Sequence, residues 1–318
     1  MNSSSNNFIS YNYPAGFFQD AILLANILVV ASLGIPANVF ILYIIKYKPF
    51  IKSKSSLTYM FHLTVADFLN CFNFFFVNLP FIIWPEEYIS SKAIFACGMW
   101  NVIMSFNLFH TTYMIVVITL DRMINIFTIN LARICGTAKT AKCVCNLVAV
   151  GSIVVAIPYY QITQHKPSTV LWNGKLISGV NCYRADAKVL TFVNISFGYS
   201  VPLLFIALGN MAIVLRIRYR AMLSQKKFGK AMKNDDLRVT ITLVTCCIAM
   251  VAVYLPFYFF QMRNYLWSEE RNARFWESYL NYVMWYSAMG FRNFNSTINL
   301  FIYITTNRNF RKACSSLF

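Results

Sequence analysis

Charge is what this sequence has least of. Only 12% of the 318 residues are Asp, Glu, Lys or Arg, and just 11 of them are acidic. A soluble domain is about one quarter charged, so this chain cannot cover itself with a water-facing surface. Glycine (11) and proline (9) are too sparse for a collagen or a low-complexity linker. Nine cysteines are too few for a disulfide scaffold, and none fall in the paired C-x-x-C units of a zinc site. What abounds is hydrophobic: 58% of the chain, with aromatics at 17%. That excludes disorder and leaves a lipid-embedded protein.

A membrane helix needs about 20 predominantly apolar residues. Uncharged windows cover 21–45, 93–120, 143–164, 189–215 and 239–262. Two more windows hold one charge each, 55–85 with Asp67 and 278–307 with Arg292. The reading is an all-α membrane protein of seven spans: an outer N-terminus (1–20), a seven-helix domain (21–305) and a short amphipathic helix with a tail (306–318). The polar 1–20 segment lacks Lys and Arg, so no cleavable signal is expected there and the first span acts as its own insertion signal.

The net charge of +17 suggests nucleic acid until its placement is read. Segments 46–54, 122–142, 216–238 and 308–312 hold 19 of the 28 basic residues, and the alternate loops hold eight. Positive residues collect on the cytoplasmic side. The N-terminus is therefore expected outside, and the charge reports orientation and contact with anionic lipid, with no nucleic-acid partner. A channel or transporter would need an ionisable path through the membrane, yet only Asp67 and Arg292 lie inside the spans. No internal repeat supports a transporter.

Motifs then appear in order. The first span has Pro36-Ala37-Asn38, and the second has Leu63-Thr64-Val65-Ala66-Asp67. The third opens with Cys97 and ends, 25 residues later, in Asp121-Arg122. Tyr254-Leu255-Pro256 lies in the sixth, and Asn295-Ser296 and Asn299 through Tyr303 lie in the seventh, followed by Phe310-Arg311-Lys312. The ordered set resembles the rhodopsin-like (class A) G-protein-coupled receptors, as a divergent member.

The resemblance implies several roles. Cys97 and Cys182 would be bridged across the outer face, where disulfides persist. Asp67, an ionisable group in mid-membrane, would hold sodium with Thr111, Asn295, Ser296 and Asn299. Arg122 would pair with Asp121 and with Asp236 until the sixth span pivots near Pro256, with Tyr254 as a packing switch and Asn299 and Tyr303 completing the relay. The product is a receptor signalling to heterotrimeric G proteins, with no catalytic residues. Departures from the pattern include Met123, Tyr254, Asn210 and Leu300, and the fourth span lacks the usual tryptophan. A protein that binds ligand without coupling is the reading these departures keep open.

The ligand is read from the outer half. Met104 stands where amine receptors carry an aspartate, and Asn293 where opsins carry the retinal lysine, so neither ligand is expected. Asn173-Gly174 between two β-prone runs, 168–172 and 175–180, is a hairpin signal. In this family an outer hairpin favours a peptide ligand. An anionic lipid, a nucleotide-like metabolite or a chemosensory ligand are the alternatives. Met104, Phe257, Tyr258, Gln261 and Arg292 are expected to line the pocket, with Arg292 either binding a ligand carboxylate or phosphate or pairing with Asp67. Asn2-Ser3-Ser4 is an outer glycosylation sequon, and Cys314 is a palmitoylation candidate.

Overall fold

The computed structural model describes residues 15–48, 54–83, 93–161, 163–172, 175–184, 188–228, 234–266 and 279–317. Side chains of the hairpin and of several helix ends lie outside that set. In lipid every backbone group must be satisfied within its own segment, and nearly all of the long apolar windows form helix.

The first span is α1 (Ala15–Val29), a π turn (Val30–Gly34) and α2 (Ile35–Tyr47). The second is α3 (Lys54–Ile83) and the third is α4 (Ala93–Phe127). A short α5 (Ile129–Cys135) leads to the fourth span, α6 (Ala138–Ala156), and to a last turn, α7 (Pro158–Gln161). Strands β1 (Thr163–Trp172) and β2 (Lys175–Arg184) follow. The fifth span is α8 (Lys188–Val193), a second π turn (Asn194–Ser200) and α9 (Val201–Phe228). The sixth and seventh are α10 (Asn234–Leu266) and α11 (Tyr279–Thr306), and α12 (Arg308–Ser315) closes the described chain.

Two prolines explain the π turns. A proline ring inside a helix collides with the carbonyl four residues back and offers no N–H. Just ahead of Pro36 the Ile35 N–H reaches Val30 O, and just ahead of Pro202 the Val201 N–H reaches Ser196 O. Both bonds span five residues, the wider turn that moves the carbonyl aside. Pro158 acts differently: α6 ends at Ala156 and the chain restarts at Pro158. The fourth span is thus displaced from the 143–164 window: it starts at Ala138, and Thr163 and Gln164 already belong to β1.

The hairpin is longer than its sequence signal. Trp172 pairs with Lys175 across Asn173-Gly174, and the antiparallel register continues to Thr163 opposite Arg184. Pro167 pairs with Val180, which a two-stranded ribbon tolerates because both strands are edges.

The third span touches the second, fourth and fifth, and the sixth packs along the seventh. A Cβ on Gly209 would lie 2.7 Å from Thr119 Cγ2, so the third and fifth spans approach closely only because residue 209 has no side chain. The central apolar cluster joins Leu63, Leu108, Ile118, Ile206, Met250 and Phe257 from four spans. Outward faces are apolar too, with Leu147, Val154, Leu204, Ile248 and Phe259 all exposed. A soluble protein rarely shows such a surface. Four helical runs of the described residues, 21–47, 101–127, 138–160 and 191–220, are long and apolar enough to cross a membrane by length and composition alone. The others carry the polar residues described next.

Candidate functional site

The basic residues and the hairpin mark opposite ends of the bundle. At the basic end, Arg122 Nη2 lies 3.0 Å from Asp121 Oδ2. Asp121 is buried, and the Ser55 hydroxyl donates to its Oδ1 at 3.1 Å while the Ser56 hydroxyl donates to Oδ2 at 3.5 Å. Ser55 and Ser56 sit in the first turn of α3, where the helix dipole favours a negative charge. Asp121 is therefore fastened to the second span as well as to its neighbour. Asp236 falls within α10, and its side chain lies outside the described residues.

Midway through the bundle lies a polar layer. Asp67 is fully buried, and Asn299 donates to its Oδ2 at 2.7 Å. Asn38 donates to the carbonyls of Gly34 (2.9 Å) and Ser296 (2.7 Å), tying the first span to the seventh. Asn70 donates to the Ser296 hydroxyl at 3.0 Å, and Asn107 reaches Asn70 Oδ1 at 3.5 Å. Thr111 and Asn295 are buried. Beside Asn295, Asn299 and Tyr303 is a void of about 10 Å³, roughly the space of one water.

This layer suits a monovalent cation. Asp67 Oδ1 is buried with no hydrogen-bond partner among the described residues, leaving one carboxylate oxygen for a hard ion amid neutral oxygens. No group of three or more His, Cys, Asp or Glu side chains gathers there or elsewhere among the described residues, as a transition metal would want.

Toward the hairpin end two of the expected pocket residues, Met104 and Phe257, meet Arg292. Its Nη2 lies 3.4 Å from Met104 Sδ, and its guanidinium carbon lies 4.8 Å from the centre of the Phe257 ring. Tyr199 packs on Tyr254, Phe257 and Tyr258 with ring centres 5.9–6.2 Å apart. The Tyr258 hydroxyl is 3.0 Å from Ser200 Oγ. Gln261, a turn farther out, is half-buried. The structure corrects one expectation: Arg292 does not pair with Asp67. The two belong to different levels, since Asn299, which binds Asp67, follows Arg292 by two helical turns, about 10 Å along the axis.

Several partners were not legible as site residues in the sequence. Ser55 and Ser56 belong to a loop-edge stretch with no pattern, and Tyr199 reads as one aromatic among many. Asn38, Asn70 and Asn107 did carry a signal, because polar side chains in a span seek partners there. A separate cavity of about 530 Å³, lined by Phe109, Val148, Gly151 and Phe197 among others, holds none of the expected ligand residues.

Cys97 lies in α4 and Cys182 in β2 opposite His165, but both side chains lie outside the described residues, as does Asn2. Cys314 is a free thiol on α12, half-buried against the Tyr303–Phe310 cluster, and burial pushes its thiol up. Asn307 caps that helix by accepting from the amides of Asn309 and Phe310. Arg311 turns back to donate to the carbonyls of Ile304 and Thr305, closing α11.

Fold and site together define a multi-pass membrane protein with an ion pair at one end, a buried carboxylate at its centre and an aromatic, cationic pocket toward the other. The sequence profile described as 7 transmembrane receptor (rhodopsin family) matches residues 37–303. The chain belongs to that family, a family of receptors and not enzymes. It is 24% identical over 289 residues to the chemerin-like receptor 2 of Mus musculus, covering 88% of this chain and 74% of the relative. It is 23% identical over 296 residues to the B1 bradykinin receptor of Homo sapiens, covering 90% and 78% respectively. It is also 26% identical over 150 residues to the C3a anaphylatoxin chemotactic receptor of Rattus norvegicus, covering 45% and 29%.

Proposed function

We propose that this chain is a plasma-membrane receptor, with its N-terminus and hairpin outside, that passes the signal of an extracellular peptide to a heterotrimeric G protein. The observation that carries coupling is the Asp121–Arg122 pair, held at the basic end by Ser55 and Ser56. A peptide is supported by the hairpin and by relatives such as the B1 bradykinin receptor, named for a peptide. Met104, Phe257, Tyr258, Gln261 and Arg292 are the ligand surface. Ligand pressure on the Tyr199–Tyr254–Phe257 stack tilts the sixth span about Pro256. Its basic end then moves outward and frees Arg122 for the G protein, with Asp236 as the second restraint and Asn299 and Tyr303 relaying the shift.

Sodium at Asp67, Thr111, Asn295, Ser296 and Asn299 stabilises the resting state in this reading. The Cys97–Cys182 bridge fixes the hairpin over the mouth, and the basic end lies against anionic lipid headgroups. The test is nucleotide exchange on G proteins in membranes holding the receptor, challenged with fractionated tissue extract. Protease-sensitive activation supports the peptide reading. Activation that survives protease and partitions into organic solvent overturns it.

A further inference from the structure

Resting on that reading of the pocket, the question is what Arg292 recognises. A guanidinium has five N–H donors in a planar fork, and burying one without a counter-charge is costly. Arg292 is only 7% exposed. It touches a thioether sulfur and an aromatic face, at Met104 and Phe257, and the Tyr199 phenol lies beside it. The sulfur is a weak acceptor, and the ring compensates the flat face of the cation rather than its N–H edge. The acids whose side chains are described lie at other levels, Asp67 beside Asn299 and Asp121 with Arg122, Ser55 and Ser56.

A second group points the same way. Tyr199 is 2% exposed, and its hydroxyl has no hydrogen-bond partner within ordinary length among the described residues. That hydroxyl faces the Arg292 guanidinium. The guanidinium and the phenol thus lie side by side, and the phenol oxygen is a neutral acceptor that leaves the cation without a counter-charge among the described residues. A planar carboxylate matches the arginine fork with two parallel bonds and can take a third from a phenol. A phosphate monoester carries up to two charges, and Arg263, the other buried arginine described, in the sixth span, lies over the Phe260 ring rather than beside Tyr199. The surrounding Tyr254, Phe257 and Tyr258 rings suit an apolar or aromatic group next to the acid.

We propose that Arg292 and Tyr199 form a subsite for a carboxylate of the ligand, so that agonists of this receptor are acids and not their neutral amides. A peptide's C-terminal carboxylate and a fatty acid's headgroup present the same chemistry, and the test separates them. Purified receptor is heated with N-acetylphenylalanine, with N-acetylphenylalanine amide, or with decanoate. At roughly ten times a millimolar Kd, a carboxylate raises the melting temperature by about 2 °C, and the amide leaves it unchanged. Arg292→Gln abolishes the rise, and Tyr199→Phe reduces it.

If Arg292→Gln fails to fold, Met104→Asp supplies an internal carboxylate that occupies the arginine and abolishes the rise in a folded protein. A larger rise with N-acetylphenylalanine than with decanoate identifies a peptide terminus. A rise with decanoate alone keeps the carboxylate subsite and removes the peptide reading. Equal shifts with acid and amide, no shift with either acid, or an acid shift that survives both substitutions overturns the proposal.

Discussion

Asn299 donates its side-chain amide to Asp67 Oδ2 at 2.7 Å, joining the seventh span to the second at the centre of the bundle. Asp67 Oδ1 is left open. Sodium chloride should therefore raise the melting temperature of purified receptor relative to choline chloride, by about 2–4 °C for an ion well above its Kd. Asp67→Asn keeps an acceptor for Asn299 but removes the charge, and should erase the salt difference. A sodium effect that persists in Asp67→Asn places the ion elsewhere.

Asp121 is anchored by Arg122 on one side and by Ser55 and Ser56 on the other. Asp121→Asn removes the charge that holds Arg122 while leaving acceptors for the serines. A loss of about 1 kcal/mol from the resting state corresponds to roughly a five-fold change in its equilibrium. Ligand-independent nucleotide exchange should rise by about that factor, and Ser55→Ala should produce a smaller rise.

The first and seventh spans meet where Gly290 faces the Asn26 side chain, and a Cβ on Gly290 would overlap the Asn26 amide. Gly290→Val should force the two helices apart and cost about 1–3 kcal/mol, as overpacking does. Surface expression and thermal stability should both fall. The double variant Gly290→Val with Asn26→Ala should recover part of the loss.

The proposed bridge between Cys97 and Cys182 predicts that Cys97→Ser, Cys182→Ser and the double variant share one phenotype. Removing a native disulfide costs about 2–5 kcal/mol, so all three should lose surface expression to a similar extent. Each single variant should gain one maleimide-reactive thiol on intact cells. A second serine that deepens the loss would argue against the bridge.

Much of this was legible because lipid imposes simple rules. Apolar windows with at most one charge found the spans, and Asn173-Gly174 found the hairpin. The hairpin's base, from Thr163 to Pro167, was hidden because Gln164, His165 and Lys166 carry no β pattern. Pro36 and Pro202 are visible in the sequence, but a proline alone does not say whether the backbone kinks, breaks or widens. Here Pro158 coincides with a break, and the other two follow π turns. Arg292 and Asp67 stood out as charges in lipid, and only their levels along the helices showed that they are not a pair. The role of Ser55 and Ser56 depends on which residues the second span brings against Asp121, a tertiary fact that no local pattern encodes.

The central claim is that Arg122, held in a buried ion pair at rest, is what the receptor offers to a G protein. Nucleotide exchange on purified heterotrimers, driven by Asp121→Asn and by Asp121→Asn with Arg122→Ala, tests it without needing a ligand. The account predicts raised exchange in the first and a fall to the receptor-free level in the second, with both proteins folded. Raised exchange that persists without Arg122 would contradict it.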